Sequence, residues 1–313
     1  MPDGLAMAEV HAHTRASDGM VDAEELVRAA AAIGLRVVCV TDHDTIPDLG
    51  GAVETGAALG VDVVRGEEVT ASFPPGIHIV GLFVERQVRM HMSVEDTVDA
   101  IHDQGGLAIV AHPFMPTWFA SMTSRRARQL LETHTVDGIE IRHTAPVLPG
   151  AWKMMDEFYA EHRERIGAAV GAGDSHFGAH DLGRVVTVFP GSTAGDLRRA
   201  IEQRTTSPLT QAAKPHSPPL SMRLAQQYRS MVWLPQQRRT GRVGARGGRA
   251  ADDVQPGVRA GRDARGARGA GAAAVPGGGP AAVGGAVAVA VPERGVRGGD
   301  GGRAGARQRR GHH

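Results

Sequence analysis

Histidines and carboxylates recur in short clusters along the first two-thirds of the chain, with a spacing typical of metal ligands. His11 and His13 are separated by one residue, so in an extended strand both imidazoles face the same side and can reach one cation. Asp18 follows in the loop after them. The same residue types recur further on, in the segments Thr41-Asp42-His43-Asp44, Gly66-Glu67-Glu68-Val69-Thr70, Ile77-His78-Ile79, Ala111-His112-Pro113 and Gly173-Asp174-Ser175-His176.

A site built from imidazoles and carboxylates suits Mn, Fe or Zn, and the order of intrinsic affinities does not choose among them. Cations held close together lower the pKa of a bridging water and stabilise the attacking and leaving oxygens of an in-line displacement at phosphorus. Any one of these motifs alone is commonly incidental. Their occurrence one after another favours a multinuclear metal site with hydrolytic chemistry.

The motifs fall within an alternation of β-branched runs and amphipathic runs from Ala8 to about Arg204. The strand candidates are AEVHAHT, RVVCVTDHD, VDVVRGEEVT, GLAIVAHP, DGIEIRH, GAAVGAGDSH and RVVTVF, with a further strand in IHIVGLFV. The helix candidates are AEELVRAAAAIG, SVEDTVDAIHDQG, RARQLLETH, AWKMMDEFYAEHR and AGDLRRAIEQR. Strands alternating with helices indicate a parallel sheet.

About seven such units predict a closed α/β barrel, with an open doubly wound sheet as the alternative. The polar clusters stand at the carboxyl ends of the candidate strands, which is the face where α/β barrels build their active sites. Side chains that are far apart in the sequence are therefore expected to converge on one mouth.

The order of motifs HAHT, SDG, TDHD, GEEVT, HIVG, AHP, GDSH and LGR resembles the polymerase and histidinol phosphatase (PHP) family. The resemblance covers about Glu9 to Arg204 and implies a distorted (β/α)7 barrel that holds two or three divalent ions. It implies metal ligands at His11, His13, Asp18, His43, Glu68, His78, His112, Asp174 and His176. Of these, we expect His43, Glu68 and His176 to act in catalysis.

Two positions need a separate interpretation. The family usually has Asp two residues before the first histidine, where this chain has Glu9, and we expect this carboxylate to support a ligand. Glu67 and Glu68 are adjacent, and the family pattern favours Glu68 as the ligand.

The resemblance implies a metal-dependent phosphoesterase, with nucleotides or short oligonucleotides as the expected small phosphorylated substrates. A histidinol-phosphate-type phosphatase is one alternative, and a non-catalytic PHP regulatory module is another. Amidohydrolases also open a barrel with His-x-His, but their common binuclear form resembles one that uses a lysine on a middle strand. The only lysines here are Lys153, in a helix candidate, and Lys214, past the last unit.

Several residues near the strand ends are candidates for substrate binding. Arg184, after the last ligand motif, could pair with a phosphate oxygen or form a surface ion pair. Arg142 and His143 end the fifth predicted strand and could contact substrate or belong to a solvated loop. Phe114 and Trp118 could stack on a base or pack in the core.

The composition is that of a globular protein, with 42% hydrophobic and 22% charged residues. The single cysteine, Cys39, favours a reducing compartment. No apolar run is long enough to cross a bilayer and no signal peptide is evident. We therefore expect a cytoplasmic protein that does not associate with membranes.

We divide the chain into a barrel domain over residues 1–212, a linker with a short helix over 213–239, and a disordered tail over 240–313. The tail contains 13 Arg against 5 acidic residues and no large aliphatic other than Val. Such a composition cannot bury enough apolar surface to order the segment. It could bind nucleic acid weakly, or it could be the product of a shifted reading frame in a GC-rich gene.

Overall fold

The structure, a computed structural model, describes residues 2–72, 76–115, 120–211 and 217–243. Its strands join into one sheet in the order β7-β6-β5-β4-β3-β2-β1-β8-β9. The strands are β1 (Leu5–Glu9), β2 (Val37–Val40), β3 (Asp62–Ala71), β4 (Ile77–Leu82), β5 (Leu107–Val110), β6 (Gly138–His143), β7 (Ala168–Ala172), β8 (Val185–Pro190) and β9 (Ser207–Thr210).

Six of the described helices lie between strands and two follow the last strand, and four of these eight begin at a capping side chain. They are α1 (Ala23–Ala32), α2 (Gly50–Leu59), α3 (Val94–His102), α4 (Ser124–Thr133), α5 (Ala151–Ile166), α6 (Ala194–Glu202), α7 (Leu220–Tyr228) and α8 (Leu234–Thr240). Asp22 caps α1 and Thr193 caps α6, each in a reciprocal capping box with the third helical residue. The helices predicted in this region are present within a few residues of the predicted bounds.

Helix α2 was not predicted, because it contains Gly50, Gly51 and Gly56, and glycine disfavours helices. Its position explains one of these glycines. A methyl group added at Gly56 would lie 2.3 Å from the carbonyl oxygen of Val61. The absence of a side chain at Gly56 therefore lets the helix pack directly against the start of β3.

The sheet is mixed, so the expectation of an all-parallel sheet is wrong in part. Strand pairs β1–β2, β2–β3, β5–β6 and β6–β7 are parallel. Strand β4 runs antiparallel to both of its neighbours, and β8 runs antiparallel to β1 and β9. Only residues 72–76 separate β3 from β4, and a link this short permits a hairpin but not a parallel crossover.

The reversal of β4 decides where His78 lies. His78 is the second residue of β4, and it pairs in register with Thr70 near the end of β3. Because β4 runs backwards, its beginning lies at the same edge of the sheet as the carboxyl ends of the parallel strands. His78 therefore reaches the mouth from the start of its strand rather than from the end.

The two ends of the sheet meet and nearly close the barrel. Thr187 Oγ1 on β8 accepts a bond from Gly171 N of β7 at 3.0 Å and donates to Gly171 O at 2.8 Å. A methyl group at Gly171 would lie 2.5 Å from the carbonyl oxygen of Val186, so only glycine permits this approach. The α/β barrel prediction is confirmed, and the open doubly wound alternative is wrong.

Apolar side chains fill both the inside of the barrel and the space under the helices. Small and β-branched residues such as Val37, Ile109 and Val170 occupy the interior together with Phe189. Separate clusters pack the helices onto the outer surface of the sheet. The polar cluster is therefore confined to one end of the barrel, above an apolar interior.

A long helical segment follows the barrel and packs on its mouth. Helix α7, a π-helical turn over Arg229–Trp233 and α8 run continuously from residue 220 to 240, further than the predicted short helix. Arg229 Nη2 donates to the carbonyl oxygens of Arg15 and Ser17 at 2.6 Å each.

None of the described helices combines the length and apolar character needed to span a membrane. The predicted domain boundaries stay predictions, and most of the predicted tail, from residue 244, lies outside the described residues.

Truncation after Val243 should leave the thermal midpoint and metal content close to those of the full chain. The removed sequence has little apolar area to contribute to the barrel, since Val is its only sizeable aliphatic residue. Differential scanning calorimetry and elemental analysis of both chain lengths measure this. A midpoint lowered by more than about 4 °C, the shift expected for a loss of 1 kcal/mol or more in a domain of this size, would contradict it.

Candidate metal centre

Glu68 lies at the centre of the polar cluster at the barrel mouth. Its Oε2 is 3.2 Å from His11 Nε2 and His13 Nε2, and 3.0 Å from His43 Nδ1. Its Oε1 is 2.7 Å from His78 Nδ1 and 2.9 Å from His112 Nε2. One buried carboxylate thus contacts five imidazoles from four separate segments of the chain.

A second carboxylate, Asp18, lies on the neighbouring side of the cluster. Its Oδ1 is 3.3 Å from His176 Nε2 and 3.8 Å from both His13 Nδ1 and His43 Nε2. Asp174 Oδ1 lies 3.1 Å from His13 Nε2 and so joins the two sides. The structure therefore brings all nine predicted ligands into one cluster.

Three sets of potential ligand atoms can be distinguished within this cluster, each with its atoms within 4.8 Å of one another. The sets are His13, Asp18, His43 and His176; His11, His13, Glu68 and Asp174; and His43, Glu68 and His78. His13, His43 and Glu68 each belong to two sets. The overlap is the arrangement expected when several ions lie side by side and share ligands, and the identity of the ions does not follow from it.

The donor atoms fit divalent cations better than they fit one another. Several buried atoms of the cluster make no hydrogen bond within the described part of the chain, and these are Asp18 Oδ1, His43 Nδ1, Glu68 Oε2, His78 Nδ1 and His112 Nδ1. Buried polar atoms without partners are costly, so these atoms suit positions that a bound cation would contact. Imidazole nitrogens and carboxylate oxygens around a common point are suitable donors for such ions.

Burial and charge oppose each other at this centre. Burial alone would raise the pKa of the Glu68 carboxyl, but His43, His78 and His11 around it outweigh burial and hold the pKa well below its usual range. Burial lowers the pKa of His43 well below its ordinary value. For His176 burial also acts downwards, yet Asp18 and Asp174 raise its pKa to about 10. The carboxylates of this centre thus favour positive charge around them, which divalent cations would supply.

Three further aspartates fix the loops that carry the cluster. Asp42 Oδ1 accepts bonds from the backbone of Thr14 at 2.8 Å and of Ser17 at 3.0 Å, which shapes the loop before Asp18. Asp181 accepts from the backbone of His176 at 2.8 Å. Asp44 accepts from the backbone of Thr70 at 2.7 Å and pairs with Arg238 of α8.

Glu140 is a functional residue that the sequence interpretation missed. Its Oε1 is 2.8 Å from His11 Nδ1, and its Oε2 accepts from the backbone of His112 at 2.6 Å. A carboxylate on the far nitrogen of a ligating imidazole fixes the ring orientation and raises its basicity. The sequence did offer one signal, which is an acidic residue within the otherwise apolar start of the strand GIEIRH. An acid in that position is equally compatible with an ordinary ion pair.

Glu9 and Glu67 are buried but lie outside the three sets. Glu9 Oε1 accepts from the backbone of Gly173 at 2.7 Å and of His11 at 3.3 Å, and burial raises its pKa to about 8. A methyl group at Gly173 would lie 2.3 Å from Glu9 Oε2, so glycine makes room for the longer acid. Glu67 Oε2 accepts from the backbone of Val88 at 2.7 Å, so Glu68 is the member of the pair in the cluster.

The predicted substrate-binding residues do not lie together, and only Arg184 lies beside the metal cluster. Arg184 lines a cavity beside Asp174 and His176. Arg142 instead forms a two-point ion pair with Asp156 of α5, at 2.8 and 2.9 Å.

The remaining candidates near the strand ends are buried or undescribed. His143 is buried, with its ring centroid 5.0 Å from that of Trp152. Phe114 packs edge-on against Phe158 in the core, at a centroid distance of 5.0 Å. Trp118 lies outside the described residues.

Known proteins are similar to this chain in sequence. A 3',5'-nucleoside bisphosphate phosphatase from Chromobacterium violaceum is 27% identical over 208 residues, which cover 58% of this chain and 70% of that protein. A 5'-3' exoribonuclease from Salmonella typhimurium is 30% identical over 149 residues, covering 46% of this chain and 40% of that protein.

The fold also matches a solved structure. A two-domain protein from Bacteroides vulgatus with a predicted PHP-like metal-dependent phosphoesterase aligns at a TM-score of 0.52 and 19% identity, covering 67% of this chain and 66% of that one. The family model described as the PHP domain matches residues 9–202, which contain every residue of the three sets. This chain is a member of the PHP domain family of phosphoesterases.

Proposed function

We propose that this protein is a divalent-metal-dependent hydrolase of phosphate esters in nucleotides or short oligonucleotides. The observation that carries the proposal is Glu68, a buried carboxylate within 3.2 Å of five imidazoles, at the overlap of two of the three ligand sets. The names of the two relatives, a nucleoside bisphosphate phosphatase and an exoribonuclease, support the substrate class. Their low identity leaves the individual substrate open.

The proposed ligands are the nine residues of the cluster, with Glu68 shared by two of the three sets and Glu140 orienting His11. Divalent cations bound there would supply hydroxide at neutral pH and neutralise charge on the phosphoryl group. Mn, Zn and Fe all suit this donor set.

The protein's own part in the reaction is to hold the metal-ligating side chains in fixed positions. Glu68 sets the spacing of the ligand sets because its two oxygens face different imidazoles. His176 lies at the rim, where 14% of its side chain is exposed, and it contacts Asp18 and Asp174. We assign His176 and His43 to catalysis as ligands that would hold ions beside the reacting phosphate.

Two other functions fit the site less well. A regulatory module without activity is expected to lose ligands, whereas all the donors are retained in this cluster. The lysine-bridged amidohydrolase site is also disfavoured, since the Lys153 side chain on α5 is 82% exposed. A histidinol-phosphate-type phosphatase uses the same chemistry and remains the alternative substrate assignment.

Hydrolysis of phosphate esters should require added divalent metal. The purified protein, stripped by exhaustive chelation, should lose turnover of p-nitrophenyl phosphate and adenosine 5'-monophosphate and regain it with Mn, Zn or Fe. Release of phosphate or p-nitrophenol is the measurement. Undiminished activity in protein shown by elemental analysis to be metal-free would contradict the proposed function.

His43→Ala and Asp174→Ala should each lower kcat by about two orders of magnitude or more, the scale of losing a key electrostatic contact in the transition state. The matched control is His102→Ala, because His102 contacts Asp137 just before β6, away from the cluster. Circular dichroism checks folding, and elemental analysis checks metal loading. Near-normal turnover in a fully metallated His43→Ala or Asp174→Ala protein would refute the assignment.

Glu140→Gln should weaken metal binding about 10- to 100-fold. The glutamine amide lacks the negative charge that raises the basicity of the His11 ring and fixes its orientation. Competition with a coloured chelator measures the affinity. Glu157→Gln provides the control. It removes the same negative charge from an exposed position on α5, away from the site. Equal affinities for the Glu140→Gln and Glu157→Gln proteins would show that Glu140 does not support the ligand.

A further inference from the structure

The helical segment over residues 220–240 turns its polar face to the barrel. Gln226, Arg229 and Arg238 on that face all hydrogen-bond to residues of the barrel. Leu234 is the only buried apolar residue in the segment, which the structure describes in full. A surface helix ordinarily buries its apolar stripe and leaves its polar side in water. This segment does the reverse, so its apolar side stays in water unless something other than the described barrel covers it.

The outward face of the segment carries a stripe of large apolar side chains. Leu220, Leu224, Tyr228 and Met231 follow one another at steps of three or four residues, which place them on one side of a helix. Their side chains are 57–73% exposed. In the described part of the chain only six large apolar residues are more than half exposed, and these four are among them. A contiguous stripe of this kind marks an interaction surface, whereas single exposed apolar residues do not.

A π-helical turn keeps the two faces aligned along the whole segment. The inward residues Gln226, Arg229, Leu234 and Arg238 are separated by steps of three, five and four residues. In a regular α-helix of 3.6 residues per turn, a step of five would rotate Leu234 well away from the face of Arg229. The wider turn over Arg229–Trp233 absorbs this extra residue. Both halves of the segment therefore present the same outward face.

The charge around the stripe has one sign. Residues 217–243 contain five Arg and no Asp or Glu, whereas residues 1–216 contain 18 Lys and Arg against 29 Asp and Glu. Two of the five arginines, Arg223 and Arg239, are exposed near the two ends of the segment. An apolar stripe accompanied only by positive charge is typical of a helix that lies in the interface of an anionic membrane.

Two other occupants fit this face less well. A second copy would bring five arginines against five, with no acid in either segment to pair with them, and like charges oppose association. A nucleic acid would pair with the arginines but not with Leu220, Leu224 and Met231, because its bases stack on aromatic rings and its backbone is charged. A surface of anionic lipids offers partners for both kinds of side chain.

We propose that the outward face of the helical segment 220–240 docks on the surface of a membrane that contains anionic lipids. The apolar stripe enters the boundary between head groups and acyl chains, and Arg223 and Arg239 contact the lipid phosphates. The sequence predicted no membrane association because it has no run long enough to cross a bilayer, but a helix in the plane of the interface needs only one apolar face. The proposal uses no property of the metal centre and is independent of the proposed function.

The test is sedimentation of the full-length protein with lipid vesicles. Wild type should bind vesicles of phosphatidylcholine and phosphatidylglycerol in equal parts, and should bind them more tightly than vesicles of phosphatidylcholine alone. Leu224→Gln combined with Met231→Gln should lower the partition coefficient on the mixed vesicles at least about tenfold, because two large apolar side chains leave the acyl boundary. This stripe variant keeps every arginine of the chain, so its loss of binding measures the apolar stripe rather than the charge.

The matched control is Val53→Gln combined with Leu59→Gln. It makes the same kind of change on the outer surface of α2, where the two side chains are 51% and 47% exposed. The control should bind vesicles as wild type does. Circular dichroism and the thermal midpoint check that each variant folds. If the stripe variant does not fold, Leu220→Gln combined with Tyr228→Gln tests the same face.

Three results would overturn the proposal. Wild type could bind neither kind of vesicle, or it could bind both equally. The stripe variant could bind as tightly as wild type, and charge alone would then account for the binding. Light scattering after size exclusion, without vesicles, tests the second copy. A dimer that the stripe variant dissociates, together with no vesicle binding, would assign the face to a second copy.

Discussion

A buried carboxylate stays ionised only where positive charge or hydrogen-bond donors compensate for the water it has lost. Glu68 is fully buried, and five imidazoles surround it within 3.2 Å. Asp18 and Asp174 add further negative charge to the same small volume. This requirement for charge balance explains why the cluster suits divalent cations. The same cations would also satisfy the buried nitrogen and oxygen atoms that have no hydrogen-bond partner among the described residues. The strands, loops and C-terminal helix around the cluster all serve to keep these charges in place.

The barrel supplies the rigidity on which such a centre depends. Its strands are filled by apolar side chains on the inside, so the mouth is a polar surface above a close-packed interior. Closure at Gly171 and Thr187 fixes β7 against β8, and the loop after β7 carries Asp174 and His176. The antiparallel β4 brings His78 to the same edge. A mixed sheet therefore gathers donors from both ends of its strands at one mouth.

The C-terminal helical segment packs against the loops that surround the metal cluster. Gln226 and Arg229 hold it on the loop of Asp18, and Arg238 pairs with Asp44. The same helix begins at the cavity that contains Arg184. The segment thus supports the loop that carries Asp18, although it lies beyond the residues that match the family model.

The sequence by itself determined the types and order of the donors, the alternation of strands and helices, and the barrel class, because these follow from local patterns of polarity and spacing. Only the tertiary structure decided the direction of β4, the role of Glu140 and the packing of residues 220–240. Glu140 contacts His11 across 129 positions of the chain, and its neighbours in the strand reveal nothing of that partner. The physical reason is that such contacts depend on strand pairing and closure, which bring together residues whose local sequences carry no record of each other.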